Sequence, residues 1–163
     1  MIYVICIIVN QCFCENNQVL TYKKKCLFYV IAPICNGKIY VAPRSYQGEE
    51  PGKLDIPMED YIYACKTDTD KYAKEVENKY SNHITGQPEP RFSLKHLVKE
   101  TNGVKKTIML YILPLNDEEQ IHFTGGKFVT PEEIEMNSAQ YSSFLKEEID
   151  HLNIVTQMWE EFK

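Results

Sequence analysis

The chain has 163 residues, with 18 Lys and Arg against 23 Asp and Glu for a formal net charge of −5; 44% of residues are hydrophobic and 25% charged. That size and composition suit one domain with one core, and exclude a disordered chain, a collagen-like repeat and a disulfide miniprotein. No apolar run reaches the roughly 20 residues of a membrane-spanning helix, and the basic residues form no field that would bind nucleic acid by charge alone.

Met1 to Val9 is apolar and β-branched and ends at Asn10. It lacks a positive start and a small-residue cleavage site, so it reads as a buried strand rather than a signal peptide. Residues 10–25 are polar, carry Lys23, Lys24 and Lys25, and read as a loop. The six cysteines (Cys6, Cys12, Cys14, Cys26, Cys35, Cys65) all fall in the first 65 residues. Cys12-Phe-Cys14 is not the C-x-x-C of a zinc ribbon and no second ligand pair follows, so reduced thiols and no metal are expected.

Cys26 to Pro33 reads as a strand, Asn36-Gly37 as a hairpin turn and Lys38 to Ala42 as the partner strand. Pro43 to Gly52 is a loop, and Lys53 to Ile56 a short strand closed by Pro57. Thr67 or Asp68 can cap a helix whose apolar face is Tyr72, Ala73, Val76 and Tyr80. After Gly86, Pro88 and Pro90, strands are expected over Arg91–Lys99 and Val104–Leu115, joined by a turn at Asn102-Gly103. Gly125-Gly126 reads as a turn. Thr130-Pro131-Glu132-Glu133 has the order of an N-cap, an N1 proline and a capping-box glutamate. From Ser138 to Phe162 an apolar stripe through Leu145, Ile149, Leu152 and Trp159 predicts an amphipathic helix. Residues 131–163 set two lysines against eight carboxylates, a local net of −6. The order of strands, helix, strands, helix indicates one α+β domain over residues 1–163, with 1–25 as N-terminal strand and loop and 138–162 as C-terminal helix.

Lys38-Ile-Tyr-Val-Ala-Pro-Arg44, then Gly52-Lys-Leu-Asp-Ile-Pro57, then a helix containing Lys74-Glu-Val76, resembles the Nudix fold. Phe128-Val129-Thr130-Pro-Glu-Glu133 resembles the strand-to-helix step near the end of such domains. The resemblance covers about residues 26–135 and implies a Nudix-like mixed β-sheet sandwiched between helices, with the long amphipathic helix at the C-terminus. Nudix enzymes hydrolyse nucleoside diphosphate derivatives with Mg²⁺ held by helix carboxylates, oxygen ligands being what that ion requires.

The residues at the positions that match the Nudix motif depart from it. Met58 and Glu59 stand for paired glycines, and Lys74 and Glu75 open the helical motif. Asn78 and Lys79 occupy its two carboxylate positions. Glu75 and Glu77 lie about 200° apart around a helix and cannot share one ion, and read as solvated surface groups. These departures imply a protein without catalytic residues, metal or cofactor, hence not an enzyme. Within the Nudix-like set, Arg91-Phe92, Lys99 to Gly103, Val104 to Leu115, Val129 to Ile134 and Tyr141 to Leu152 resemble, in order, a branch found in the large subunit of mitochondrial ribosomes. That resemblance implies ribosomal proteins and rRNA as partners, no membrane and no small-molecule substrate. RNA contact falls to Lys23, Lys24, Lys25, Lys105 and Lys106, and protein contact to Glu147, Glu148 and Asp150, in a mitochondrion or otherwise the cytoplasm.

Two alternatives remain from the residues: a divergent hydrolase taking its carboxylates from Glu59, Asp60 or the loop of Asp117, Glu118 and Glu119, and a nucleotide-sensing regulatory domain. The histidines (His83, His96, His122, His151) are scattered and form no catalytic or metal spacing. Tyr46 and Tyr61, expected in loops beside the cleft, are the aromatic groups best placed for contact with a partner.

Overall fold

The computed structural model describes residues 25–64, 69–99 and 105–162. The apolar segment 1–9, the cap at Thr67 or Asp68, the Asn102-Gly103 turn, Lys23 and Lys24 lie outside them. Seven strands are present among the described residues: β1 (Lys25–Cys35), β2 (Lys38–Pro43), β3 (Leu54–Asp55), β4 (Met58–Ala64), β5 (Arg91–Lys99), β6 (Lys105–Pro114) and β7 (Lys127–Val129). The α-helices are α1 (Thr69–Lys79), α2 (Pro131–Met136) and α3 (Ser143–Phe162).

β1 is the centre of the sheet. One edge runs parallel to β6 from Leu27 to Ile34, and β6 in turn pairs antiparallel with β5. The other edge is divided: antiparallel to β4 over Lys25–Ile31, then to β2 at Ile34 and Cys35. A strand buried on both faces reads as an unbroken apolar run, as Leu27 to Ile34 does. Alternate residues then serve opposite layers. Phe28, Val30, Ala32 and Ile34 pack with Leu145, Ile149 and Leu152 of α3, while Leu27, Tyr29 and Ile31 pack with Ala73 and Val76 of α1. Each such fully buried side chain contributes about 1.5–3 kcal/mol by leaving water. Cys35 is buried in the second layer.

Local signals act where expected. Asn36 and Gly37 have φ of 49° and 73°, the two positive values of a hairpin turn that matches strand twist. Thr130 Oγ1 accepts from the Glu133 N–H at 3.2 Å and the Glu133 carboxylate accepts from the Thr130 N–H at 2.8 Å, closing a capping box. Three features differ from expectation. β4 follows Pro57 directly, because the adjacent charges Glu59 and Asp60 conceal a strand that pairs with Tyr29 and Val30. The last helix begins at Ser143 rather than 138, after a single 3₁₀ turn at Ser138–Gln140. Tyr61 sits on β4 and not in a loop. No helix among the described residues is long and apolar enough to cross a membrane.

Candidate functional site

Where β1 exchanges β4 for β2, the two partner strands diverge and leave a cleft of about 640 Å³. Phe28 lies at its base, the end of β2 and β3 forms one wall, Glu59 to Tyr61 the other, and Lys79, Tyr80, His83 and Phe123 close one end. The strand register sorts the side chains. Glu59 and Tyr61 stand opposite Val30 and Phe28, on the α3 face; Asp60 stands opposite Tyr29, on the α1 face. Tyr61 stacks on Phe28 with ring centroids 4.6 Å apart and keeps 46% of its surface exposed.

Arg44 occupies the β2 wall. Its Nη1 lies 3.1 Å from Asp55 Oδ2 and 3.9 Å from Glu50 Oε2. Asp55 is only 3% exposed, and it also accepts hydrogen bonds from the Ser142 hydroxyl and the Ile56 N–H. Burial pushes its carboxyl above the usual range, against the opposing pull of Ser142, Ile56 and Arg44. Glu50 accepts from both the N–H and Oγ of Ser143, and those bonds hold its carboxyl below the usual range. Arg44 thus couples the cleft wall to the first residues of α3.

On the opposite wall Lys79 Nζ is 2.9 Å from Asp60 Oδ2, and this hydrogen bond raises the ammonium pKa. Tyr80 donates its hydroxyl proton to the Glu59 carbonyl at 2.7 Å and accepts from the Glu59 N–H at 3.3 Å. That pair pins the end of α1 to β4, and burial raises the phenol pKa. His83 stacks on Phe123 with centroids 4.0 Å apart, and its Nδ1 lies 2.9 Å from the His122 carbonyl. Phe123 is held by its N–H, which donates to Tyr40 Oη at 2.8 Å. Gly126 permits this: a Cβ there would overlap the Tyr40 ring and hydroxyl.

The degenerate motif residues are thus dispersed. Glu59 and Lys79 line the cleft, whereas Met58 is wholly buried against α1. Glu75 is exposed, 3.9 Å from Lys71, and Asn78 is exposed. Glu77 is a correction to the expectation of two solvated glutamates: it is 5% exposed, with its Oε2 2.6 Å from Lys74 Nζ, because it lies on the inner side of α1. Among the described residues, no carboxylate of α1 lines the cleft and no three His, Cys, Asp or Glu side chains gather closely enough to hold an ion. A divalent cation held by helix carboxylates does not fit these residues.

Of the carboxylates weighed as substitutes, Glu59 and Asp60 are in the cleft. Asp117, Glu118 and Glu119 are not, since Asp117 caps the 118–120 turn and Glu118 pairs with Lys38 at 2.8 Å. Asp55, Tyr80, His83 and Phe123 carried no sequence signal for the site, because long-range pairing alone brings them there. Lys25, Lys105 and Lys106 fall at strand starts, paired with Ala64, Lys99 and Val98. On α3, Glu147 and Asp150 are exposed, but Glu148 is 4% exposed beside His151, so it is not part of an outer acidic face.

The sequence matches no protein-family model and no curated protein. Solved structures do match. A Nudix hydrolase from Nitrosomonas europaea superposes with a TM-score of 0.52 at 13% identity, covering 78% of this chain and 88% of its own. A Deinococcus radiodurans protein gives 0.57 at 15%, covering 86% and 90%. A Nudix hydrolase from M. smegmatis gives 0.50 at 12%, covering 91% of each chain. The expectation of a non-enzyme is corrected by these matches. It rested on the departures at Met58, Glu59, Asn78 and Lys79, whereas the whole architecture is one whose similar solved structures bear hydrolase names. At these identities the likeness establishes one thing for this chain, the Nudix fold.

Proposed function

We propose that this protein is a divergent Nudix-fold hydrolase cleaving nucleoside diphosphate derivatives in the cleft between β2 and β4. The observation that carries the reading is the meeting there of Glu59 and Asp60 with the cations of Arg44 and Lys79. Diphosphate oxygens accept charge-assisted hydrogen bonds from guanidinium and ammonium groups. The half-exposed Tyr61 ring offers an apolar face to the nucleobase. Glu59 is the base that takes a proton from the attacking water. As the new P–O bond forms, the bridging P–O bond of the diphosphate breaks and the phosphate leaves with the electron pair, its charge met by Lys79, whose position Asp60 fixes. No step is routed through a divalent ion, since the described carboxylates of α1, Glu75 and Glu77, lie outside the cleft. The resemblance to a mitochondrial ribosomal component finds no support in the cleft or in the similar structures.

The test is release of mononucleotide from a panel of nucleoside diphosphate derivatives, with Mg²⁺, with Mn²⁺ and with EDTA. Turnover on the order of 1 s⁻¹ is expected. Glu59→Gln should lower kcat by about 10²–10⁴-fold, the usual contribution of a general base. Failure to cleave any substrate under all three conditions overturns the proposal.

A further inference from the structure

A second concavity, of about 380 Å³, lies between α2 and the last turns of α3. Its chemistry is one-sided. Glu132, Glu160 and Glu161 line it with Asn153, Thr156 and Gln157, and among the described residues no basic side chain lines it. A helix C-terminus carries partial negative charge and favours cations. α3 leaves that preference unmet and adds to it, ending in Glu160 and Glu161 with no basic residue in its last turn.

A second, independent observation points to a ligand. Thr156 is 2% exposed, and its Oγ1 is buried without a hydrogen-bond partner. A buried polar atom left unpaired is costly, and a donor or acceptor entering the groove would complete it. Beside the groove, Ile154, Met158 and Phe162 are 55%, 62% and 90% exposed at spacings of four residues. They form one apolar stripe along α3, next to Gln157 and Glu161 around the helix.

We propose that the groove and stripe bind a basic, apolar segment of a partner protein. One arginine or lysine side chain enters the groove, donates to Thr156 Oγ1 and faces the glutamates, while apolar residues of the segment cover Ile154, Met158 and Phe162. Charge complementarity selects this occupant: a nucleic acid or an anionic lipid surface would be repelled. A bare metal ion is disfavoured, because no cluster of three ligating side chains exists among the described residues. The site stands on residues separate from the cleft, so its fate is independent of the hydrolase reading.

The probe is a fluorescein-labelled synthetic peptide alternating arginine with leucine, with a control in which glutamate replaces arginine, read by fluorescence anisotropy. Saturable binding of the basic peptide alone is expected. Glu132→Lys with Glu161→Lys should weaken it at least ~10-fold, and Met158→Ser with Phe162→Ser comparably. Thr156→Val should weaken it without lowering the melting temperature, since it removes an unpaired hydroxyl. Glu75→Lys, a charge reversal on α1 across the sheet, should leave binding unchanged, whereas Glu161→Lys alone, the same change in charge, should weaken it. The proposal is overturned by absence of binding, by equal loss with Glu75→Lys, or by insensitivity to the stripe variants. It is likewise overturned if the protein dimerises through the stripe without peptide.

Discussion

Lys79 Nζ and Asp60 Oδ2 lie 2.9 Å apart and join the last turn of α1 to the edge strand β4 at the cleft. Both side chains remain partly in water, at 52% and 36% exposure. Such a pair contributes about 0–1 kcal/mol to stability. Its value lies in position, because it keeps an ammonium directed into the cleft. Lys79→Ala should therefore lower kcat/KM for a diphosphate substrate at least ~10-fold while shifting the urea midpoint little, following the loss of a charge-assisted contact. Asp60→Asn should act in the same direction but more weakly, since the ammonium survives. A large loss of stability in either variant, with unchanged activity per folded molecule, would make the pair structural only.

Arg44 and Asp55 give the opposite balance. Asp55 is buried, and removing its cation leaves an uncompensated charge, which costs about 3–5 kcal/mol at buried sites. Arg44→Ala should approach that loss and Arg44→Lys should recover part of it, measured by urea unfolding at pH 7. The pH dependence follows from the raised carboxyl. The folded state holds the Asp55 proton more tightly than the unfolded chain, whose value is near 3.8. Its contribution is therefore greatest in acid and declines as pH rises from about that value through the raised one. The stability of the wild type relative to Asp55→Asn should fall across this window. A rise would contradict the assignment.

Core contributions separate by depth along α3. Leu145 is fully buried among β1 and β6 residues, so Leu145→Ala should cost about 2–5 kcal/mol. Trp159 packs on the same cluster but is only partly buried. Trp159→Ala should thus fall below the roughly 3–5 kcal/mol of a fully buried tryptophan. Acrylamide should quench its fluorescence to an intermediate degree. Complete protection in the isolated protein would show that the helix end is covered.

Local signals in the chain were sufficient for much of the fold. The Asn36-Gly37 turn, the Thr130 capping box and the apolar runs of β1 and β6 are set by residues within a few positions of one another, and the sequence reading of each agrees with the structure. β4 was missed because an edge strand beside a cleft carries charges that break alternation. The site was legible only in part. Glu59 and Asp60 stand out as carboxylates, but nothing local marks Asp55, which only the fold brings against Arg44 and Ser142. Glu148 likewise read as one of a row of surface acids, and only the packing of α3 shows it buried beside His151.

Gly126 and Tyr40 allow a test of how the far end of the cleft is held. The Tyr40 hydroxyl accepts from the Phe123 N–H, and Phe123 carries the His83 ring in a parallel stack. A methyl group at Gly126 would occupy the space of the Tyr40 ring, so Gly126→Ala must push Tyr40 aside. Overpacking of this kind costs about 1–3 kcal/mol. Because the displaced ring releases Phe123, the variant should also raise KM for the cleft ligand. Gly125→Ala meets a different obstacle, a φ of 73° and a Cβ 3.0 Å from Pro43 Cγ, so about 1 kcal/mol of backbone strain is expected there. Tyr40→Phe removes the hydroxyl bond but keeps the ring, and should reproduce the KM effect with less destabilisation than Gly126→Ala. If Gly126→Ala leaves both the melting temperature and KM unchanged, Tyr40 has room to move and does not fix the cleft.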